Sequence, residues 1–140
     1  LATFDKAPGN RIGAYSLDAN DSATLQLRLS GGALGVVHAT RLASGHLNDL
    51  RLRIYGDKGG LEVRFENAIS TLAACLGDDM PTANWHTVDC PSVPTVYQRF
   101  IAAIRGEGPP EPSFARGVGL QILLDRAEES AAQNGLSLSL

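Results

Sequence analysis

Two cysteines, one methionine and one tryptophan among 140 residues leave several protein classes little to build on. The thiols, Cys75 and Cys90, are too few for a disulfide scaffold and suit a reducing cytoplasm. No apolar run approaches the roughly 20 residues of a membrane span, and no charged-then-apolar leader opens the chain. Basic residues never cluster. With 12 Lys+Arg against 15 Asp+Glu and a net charge of −3, there is no phosphate-tracking surface, so neither nucleic acid nor membrane is an expected partner. Hydrophobic residues at 44% and charged residues at 19% are globular proportions that exclude wholesale disorder. The first residue is Leu1 and the only methionine is Met80, which leads us to expect a piece of a longer protein.

Strand signals dominate the first two thirds. Residues 1–4 read as a short strand and 5–20 as a polar loop. In 21–30, Ala23, Leu25, Leu27 and Leu29 alternate with Thr24, Gln26, Arg28 and Ser30, the period of a half-buried strand. Ser30-Gly31-Gly32 is a turn signal, and 33–42 returns with small or apolar residues on both sides, as expected of an interior strand covered on both faces. A loop at 43–48 leads to Leu50, Leu52 and Ile54 alternating with Arg51 and Arg53. After the turn at 56–60, Leu61, Val63 and Phe65 alternate with Glu62, Arg64 and Glu66, placing opposite charges where they can pair across strands. Residues 69–76 and 85–88 are weaker strands around a loop at 77–84.

The period changes after Pro91. Val96, Phe100, Ala103 and Ile104 predict a helix over 94–105, closed by Gly106. Ser113 reads as the N-cap of a longer helix with Leu120, Leu123, Leu124, Ala127 and Ala131 on one face. Asn134-Gly135 stops it, and Leu136, Leu138 and Leu140 alternate with serines as a closing strand. Strands early and helices late give an α+β fold: a mostly antiparallel, open-faced sheet with helices on one face, in a single domain over residues 1–140.

Motif chemistry is sparse. Gly117-Val-Gly119 lacks the third glycine of a dinucleotide fingerprint and lies in a helical pattern, so it reads as small-residue packing. His38, His46 and His86 show no metal-ligand spacing, Cys75 has no base nearby in sequence, and Asp78-Asp79 reads as a solvated loop. No paired-carboxylate or Ser/His/Asp arrangement follows from spacing.

Several small motifs in order carry more. Asp21-Ser-Ala-Thr-Leu25, Leu29-Ser-Gly-Gly-Ala33, Thr40-Arg41, Gly45-His46, Asn48 and Ile54-Tyr-Gly-Asp-Lys-Gly-Gly-Leu61 are followed by Tyr97, Phe100 and Ile104-Arg-Gly106. Pro112-Ser-Phe114, Gly117, Gln121 and Ser130-Ala131 complete the series. Together they resemble the C-terminal, substrate-side domain of the glucose–fructose oxidoreductase/inositol dehydrogenase (Gfo/Idh/MocA) family, over 21–140 and least closely over 67–92. Arg116 stands where that family usually has an acidic residue. The Rossmann fingerprint, the Glu-Lys-Pro segment with the catalytic lysine and the Asp-x-x-x-His helix have no counterpart here.

The resemblance implies the substrate-side and oligomerisation domain of an NAD- or NADP-dependent oxidoreductase acting on a sugar, polyol or related hydroxyl or carbonyl compound. Its implied partners are a separate Rossmann domain, a small-molecule substrate and a second copy through the sheet. No catalytic, cofactor-binding or metal residue is expected within these 140 residues, and the piece alone is expected to be inactive. The competing reading is a stand-alone, non-catalytic α+β module for association or ligand binding. Candidate substrate-cleft residues come from the loop 41–48: a cation (Arg41), a titratable ring (His46) and an amide (Asn48), separated by Ser44-Gly45. Such a set donates and accepts hydrogen bonds, and arginine also grips carboxylate or phosphate. The alternative is a solvated turn whose polar groups cap strand ends.

Overall fold

In the computed structural model, the described residues are 2–5, 11–16 and 19–140. They fall into two compact units, one formed by Leu1–Leu42 with Thr95–Leu140 and the other by Ala43–Pro94.

The first unit holds β1 (Ala2–Asp5), β2 (Arg11–Ile12), β3 (Tyr15–Ser16), β4 (Ser22–Arg28), β5 (Leu34–Thr40), α1 (Val96–Ile104) and α2 (Phe114–Ala132). β1, β4 and β5 form an antiparallel sheet in that order, with Leu25 opposite Ala2 on one side and Val37 on the other. The alternating register puts Ala23, Leu25 and Leu27 on one face, where Ala2 and Leu25 bury against Ala127 of α2 with Ala131 beside them. Ser130 extends this seam. Its hydroxyl accepts a hydrogen bond from the Ala2 amide (3.2 Å) and donates to the Leu136 carbonyl (2.7 Å), tying the first strand to the segment after α2.

Both helices start where side-chain oxygens meet the unpaired first amides. Thr95 and Gln98 form a capping box at α1, and Ser113 accepts from the Arg116 amide at α2. The covered stripe of α2 is narrower than its periodicity predicts. Ala127 and Ser130 are buried, whereas Leu120 and Leu124 are 57% and 52% exposed. α1 has no buried residue.

The second unit is an antiparallel sheet of β6 (Asp49–Gly56), β7 (Gly59–Glu66), β8 (Ile69–Leu76) and β9 (His86–Val88), in chain order. Its pairings put Leu50, Leu52, Ile54, Leu61, Val63, Phe65 and Leu72 on one face and the arginines and glutamates on the other. The expected cross-strand pairing occurs, since Arg53 lies opposite Glu62 and its Nε donates to Oε2 at 2.5 Å. Gly59 closes the β6–β7 turn at φ +140, and a Cβ there would stand 2.3 Å from the Cys75 carbonyl oxygen. Only glycine fits so close an approach. Next to it, the Trp85 ring lies where a side chain on Gly60 would go, above the pair Gly60–Cys75.

Five expectations need correction. β5 is not covered on both faces: it lies at the edge of its sheet, with Leu34 and Val36 74% and 72% exposed. Apolar composition on both sides marks a surface that favours cover, and cover need not come from the same segment of chain. The closing strand is absent: 136–140 forms no ladder, and Ser137–Leu140 instead line a groove of about 510 Å³ with β4 and α2. The loop over 5–20 contains the β2–β3 hairpin, with 6–10 and 17–18 outside the described residues. The loop at 77–84 holds a 3-10 turn over Gly77–Thr82. Gly117 and Gly119 are helical as expected, but a Cβ at either would meet open space, so neither makes a close packing contact.

Candidate functional site

The three candidate residues fall in different units. Arg41 follows β5 in the first unit, where its backbone amide donates to the Asp21 carbonyl (3.0 Å) and its Nε to the Asp21 carboxylate. Asp21 is 3% exposed, so Arg41 neutralises a buried acid. Ser22 and Thr40, directly opposite in register, share a hydroxyl hydrogen bond of 2.8 Å beside it. These groups line a shallow pocket of about 350 Å³. Half of the Arg41 side chain remains exposed.

His46 and Asn48 belong to the second unit. Gly45, at φ +84, turns the chain so that the His46 amide donates to the Ala43 carbonyl (3.1 Å). The His46 ring then lies with Nδ1 3.1 Å from Asp49 Oδ2. Asp49 also accepts from Arg51 through Nη2 (3.2 Å) and Nε (3.4 Å). These Arg51 hydrogen bonds hold the Asp49 carboxyl below its ordinary range against the opposing effect of desolvation, and His46 adds to the lowering. An ionised carboxylate only accepts hydrogen bonds, so the ring carries its proton on Nδ1. Nε2 is left as the nitrogen open to a ligand. Asn48 is exposed on the same loop.

The structure thus joins His46 to Asp49 and Arg51, and joins Arg41 to Asp21. Sequence reading found neither acid. A usable signal existed for the first: Asp49 stands three residues after His46 and two before Arg51, so the start of a strand puts Asp49 and Arg51 on one face. Asp21 had no such signal, because its contact spans a hairpin. A further polar group, Asp79 with Asn84 and His86, sits at 3.1–3.2 Å separations in the second unit. Among the described residues, no three His, Cys, Asp or Glu side chains gather as a metal site.

The described strand pairings are all antiparallel, unlike the parallel sheet of a doubly wound nucleotide fold. Comparison with known proteins agrees. The family model described as "GFO/IDH/MocA C-terminal domain" matches residues 2–62. Levoglucosan dehydrogenase from Pseudarthrobacter phenanthrenivorans is 27% identical over 138 residues, covering 84% of this chain and 35% of that protein. A crystal structure of an oxidoreductase domain protein from Kribbella flavida superposes with a TM-score of 0.74 at 25% identity, covering 95% of this chain and 43% of that one. Residues 2–62 thus resemble a Gfo/Idh/MocA C-terminal domain, in keeping with the ordered motifs, and both similar proteins are named as oxidoreductases or dehydrogenases. It spans about a third of the length of the levoglucosan dehydrogenase.

Proposed function

We propose that this chain is the substrate-side domain of an NAD(P)-dependent oxidoreductase acting on a sugar, polyol or related compound. The observation that carries the proposal is the His46–Asp49–Arg51 relay within the stretch that matches the Gfo/Idh/MocA C-terminal domain. The name of the levoglucosan-oxidising relative supports a carbohydrate substrate.

A nicotinamide, when bound, supplies hydride transfer. The residues present here do not fit one. Every described strand pairing is antiparallel, and neither helix follows a parallel strand through a glycine-rich turn that would cradle a pyrophosphate. Cofactor binding therefore falls to another part of the parent polypeptide, and the 140-residue piece alone is inactive.

The role left to this domain is to hold substrate. Arg51 keeps Asp49 ionised, Asp49 fixes the His46 tautomer, and His46 Nε2 accepts a hydrogen bond from a substrate hydroxyl. Asn48 adds an amide on the same loop, and Arg41, in the first unit, offers a cation of its own. Two free thiols, Cys75 and Cys90, suit a cytoplasmic enzyme, and no described helix is long and apolar enough to cross a membrane. Leu50, Leu52 and Ile54, each more than half exposed on one sheet face, favour a homodimer through the sheet.

The test is kinetic and uses the full-length enzyme. A binding role predicts that His46→Ala and Arg41→Ala each lower kcat/KM about tenfold or more, about 1.4 kcal/mol. Wild-type kinetics in both variants, with folding intact, would reduce the loop to ordinary architecture.

A further inference from the structure

We infer that Arg41, aimed by the buried Asp21, receives a carboxylate of the substrate, so that the parent enzyme acts on a sugar acid rather than a neutral sugar. The inference rests on the function proposed above and narrows its substrate class. The site lies within the first unit, where the start of β4 and the end of β5 line a pocket of about 350 Å³. Asp21 holds this arginine at both ends. Its carbonyl accepts from the Arg41 backbone amide (3.0 Å), and its carboxylate accepts from Nε. The Asp21 side chain is 2% exposed and that of Arg41 51%, so the anchor is internal and the guanidinium reaches solvent.

Geometry and charge select the ligand. Among the described residues, Nη1 and Nη2 of Arg41 have no partner. With Nε engaged, the planar group keeps one complete edge, the parallel N–H bonds of its two terminal nitrogens. That fork matches the two oxygens of a carboxylate, whereas a hydroxyl offers one oxygen and no charge. Because Asp21 already restrains the side chain, less rotamer freedom is lost when a ligand binds. The neighbouring hydroxyls add a donor. Ser22 and Thr40 share one hydrogen bond of 2.8 Å, and the Leu42 amide donates to Thr40 Oγ1 (3.1 Å). Two hydroxyls carry two hydrogens and their mutual bond uses one, which leaves one for a ligand oxygen. Asp21 also shares the guanidinium's charge, so the site suits a single negative charge. A phosphate dianion would meet the same carboxylate as a like charge.

Calorimetric titration of the full-length polypeptide with glucuronate, glucose and glucose 6-phosphate tests this. Glucuronate is expected to bind about tenfold more tightly than glucose, and more tightly than the phosphate. Arg41→Lys keeps the cation but removes the fork, and should bring glucuronate within about threefold of glucose. Asp21→Ala releases the guanidinium and also removes a like charge. Positioning by Asp21 predicts weaker glucuronate binding with glucose unchanged; tighter glucuronate binding would make Asp21 a repelling charge and overturn the inference. Equal binding of acid and neutral sugar, no binding of any probe, or preference for glucose 6-phosphate would overturn it as well. If Asp21→Ala does not fold, Arg41→Lys, at a half-exposed side chain, decides alone. NAD(P)-dependent turnover, assayed alongside, separates the two readings. Arg41-dependent glucuronate binding without turnover keeps the carboxylate site and removes the oxidoreductase function; turnover with no preference for the acid does the reverse.

Discussion

The two units solve the same problem, a twisted antiparallel sheet with one apolar face, in different ways. In the first, α2 lies on the sheet and buries Ala2, Leu25 and Ala127. In the second no α-helix is present among the described residues, and the buried side chains are Ala74 and Cys75, on the strand that pairs with Gly59 and Gly60. One unit is held by a helix on a sheet, the other by a close backbone approach with a tryptophan at its end. Small residues are central to both, because alanine, glycine and cysteine let chains approach where larger groups would stand off. The difference also separates surface that is finished from surface that requires a partner: Leu25 is covered within its unit, while Leu50, Leu52 and Ile54 are not.

Single substitutions sharpen that contrast. The largest effect is expected in the second unit from Gly59→Ala. The positive φ and the 2.3 Å approach to the Cys75 carbonyl together should cost about 4 kcal/mol, from backbone strain and overpacking. Urea unfolding measures the loss, and faster hydrogen exchange confined to β7 and β8 would place it. Leu25→Ala should cost the first unit about 3 kcal/mol, a typical penalty for an emptied core site. A loss under about 1 kcal/mol would show that the α2 seam is not its core. Ser130→Ala should cost about 1–2 kcal/mol, since the Ala2 amide and the Leu136 carbonyl both lose a partner. Faster exchange at the Ala2 end of β1 is the specific readout.

Acid gives the smallest effect and should act on the second unit. Arg51 lowers the Asp49 carboxyl from its ordinary 3.8, and Arg53 lowers Glu62 from 4.5. Groups whose folded pKa is depressed contribute stability that is fully present above their unfolded values and lost as pH falls through the folded ones. Melting temperature should therefore be insensitive to these pairs at neutral pH and decline below about pH 4.5. Asp49→Asn should flatten that decline. An unchanged slope in the variant would mean that the His46–Asp49–Arg51 relay contributes nothing to the fold.

Local features were legible in the sequence and long-range ones were not. The alternation through Leu25 and Leu27 located β4, and Ser113 marked the start of α2, because each signal is contained in a few consecutive residues. The glycines at 56–60 located the hairpin for the same reason. The edge position of β5 escaped, since apolar residues on two sides look alike whether or not anything covers them. The serine–leucine alternation after Gly135 suggested a strand, but alternation does not show whether a segment pairs with a sheet edge, and 136–140 runs along the groove beside β4 and α2 without doing so. At the candidate site, the loop and its polar residues were readable, whereas the acids that hold them were not. Asp21 meets Arg41 only after the β4–β5 hairpin closes, twenty residues apart in sequence.

The central claim is a division of labour: substrate recognition here and nicotinamide binding elsewhere in the polypeptide. Calorimetric titration of NAD and NADP into the 140-residue chain, with the full-length protein alongside, tests it most directly. The expected result is no binding by the short chain at sub-millimolar cofactor and saturable micromolar binding by the full-length protein. Saturable micromolar binding by the 140-residue chain itself would contradict it.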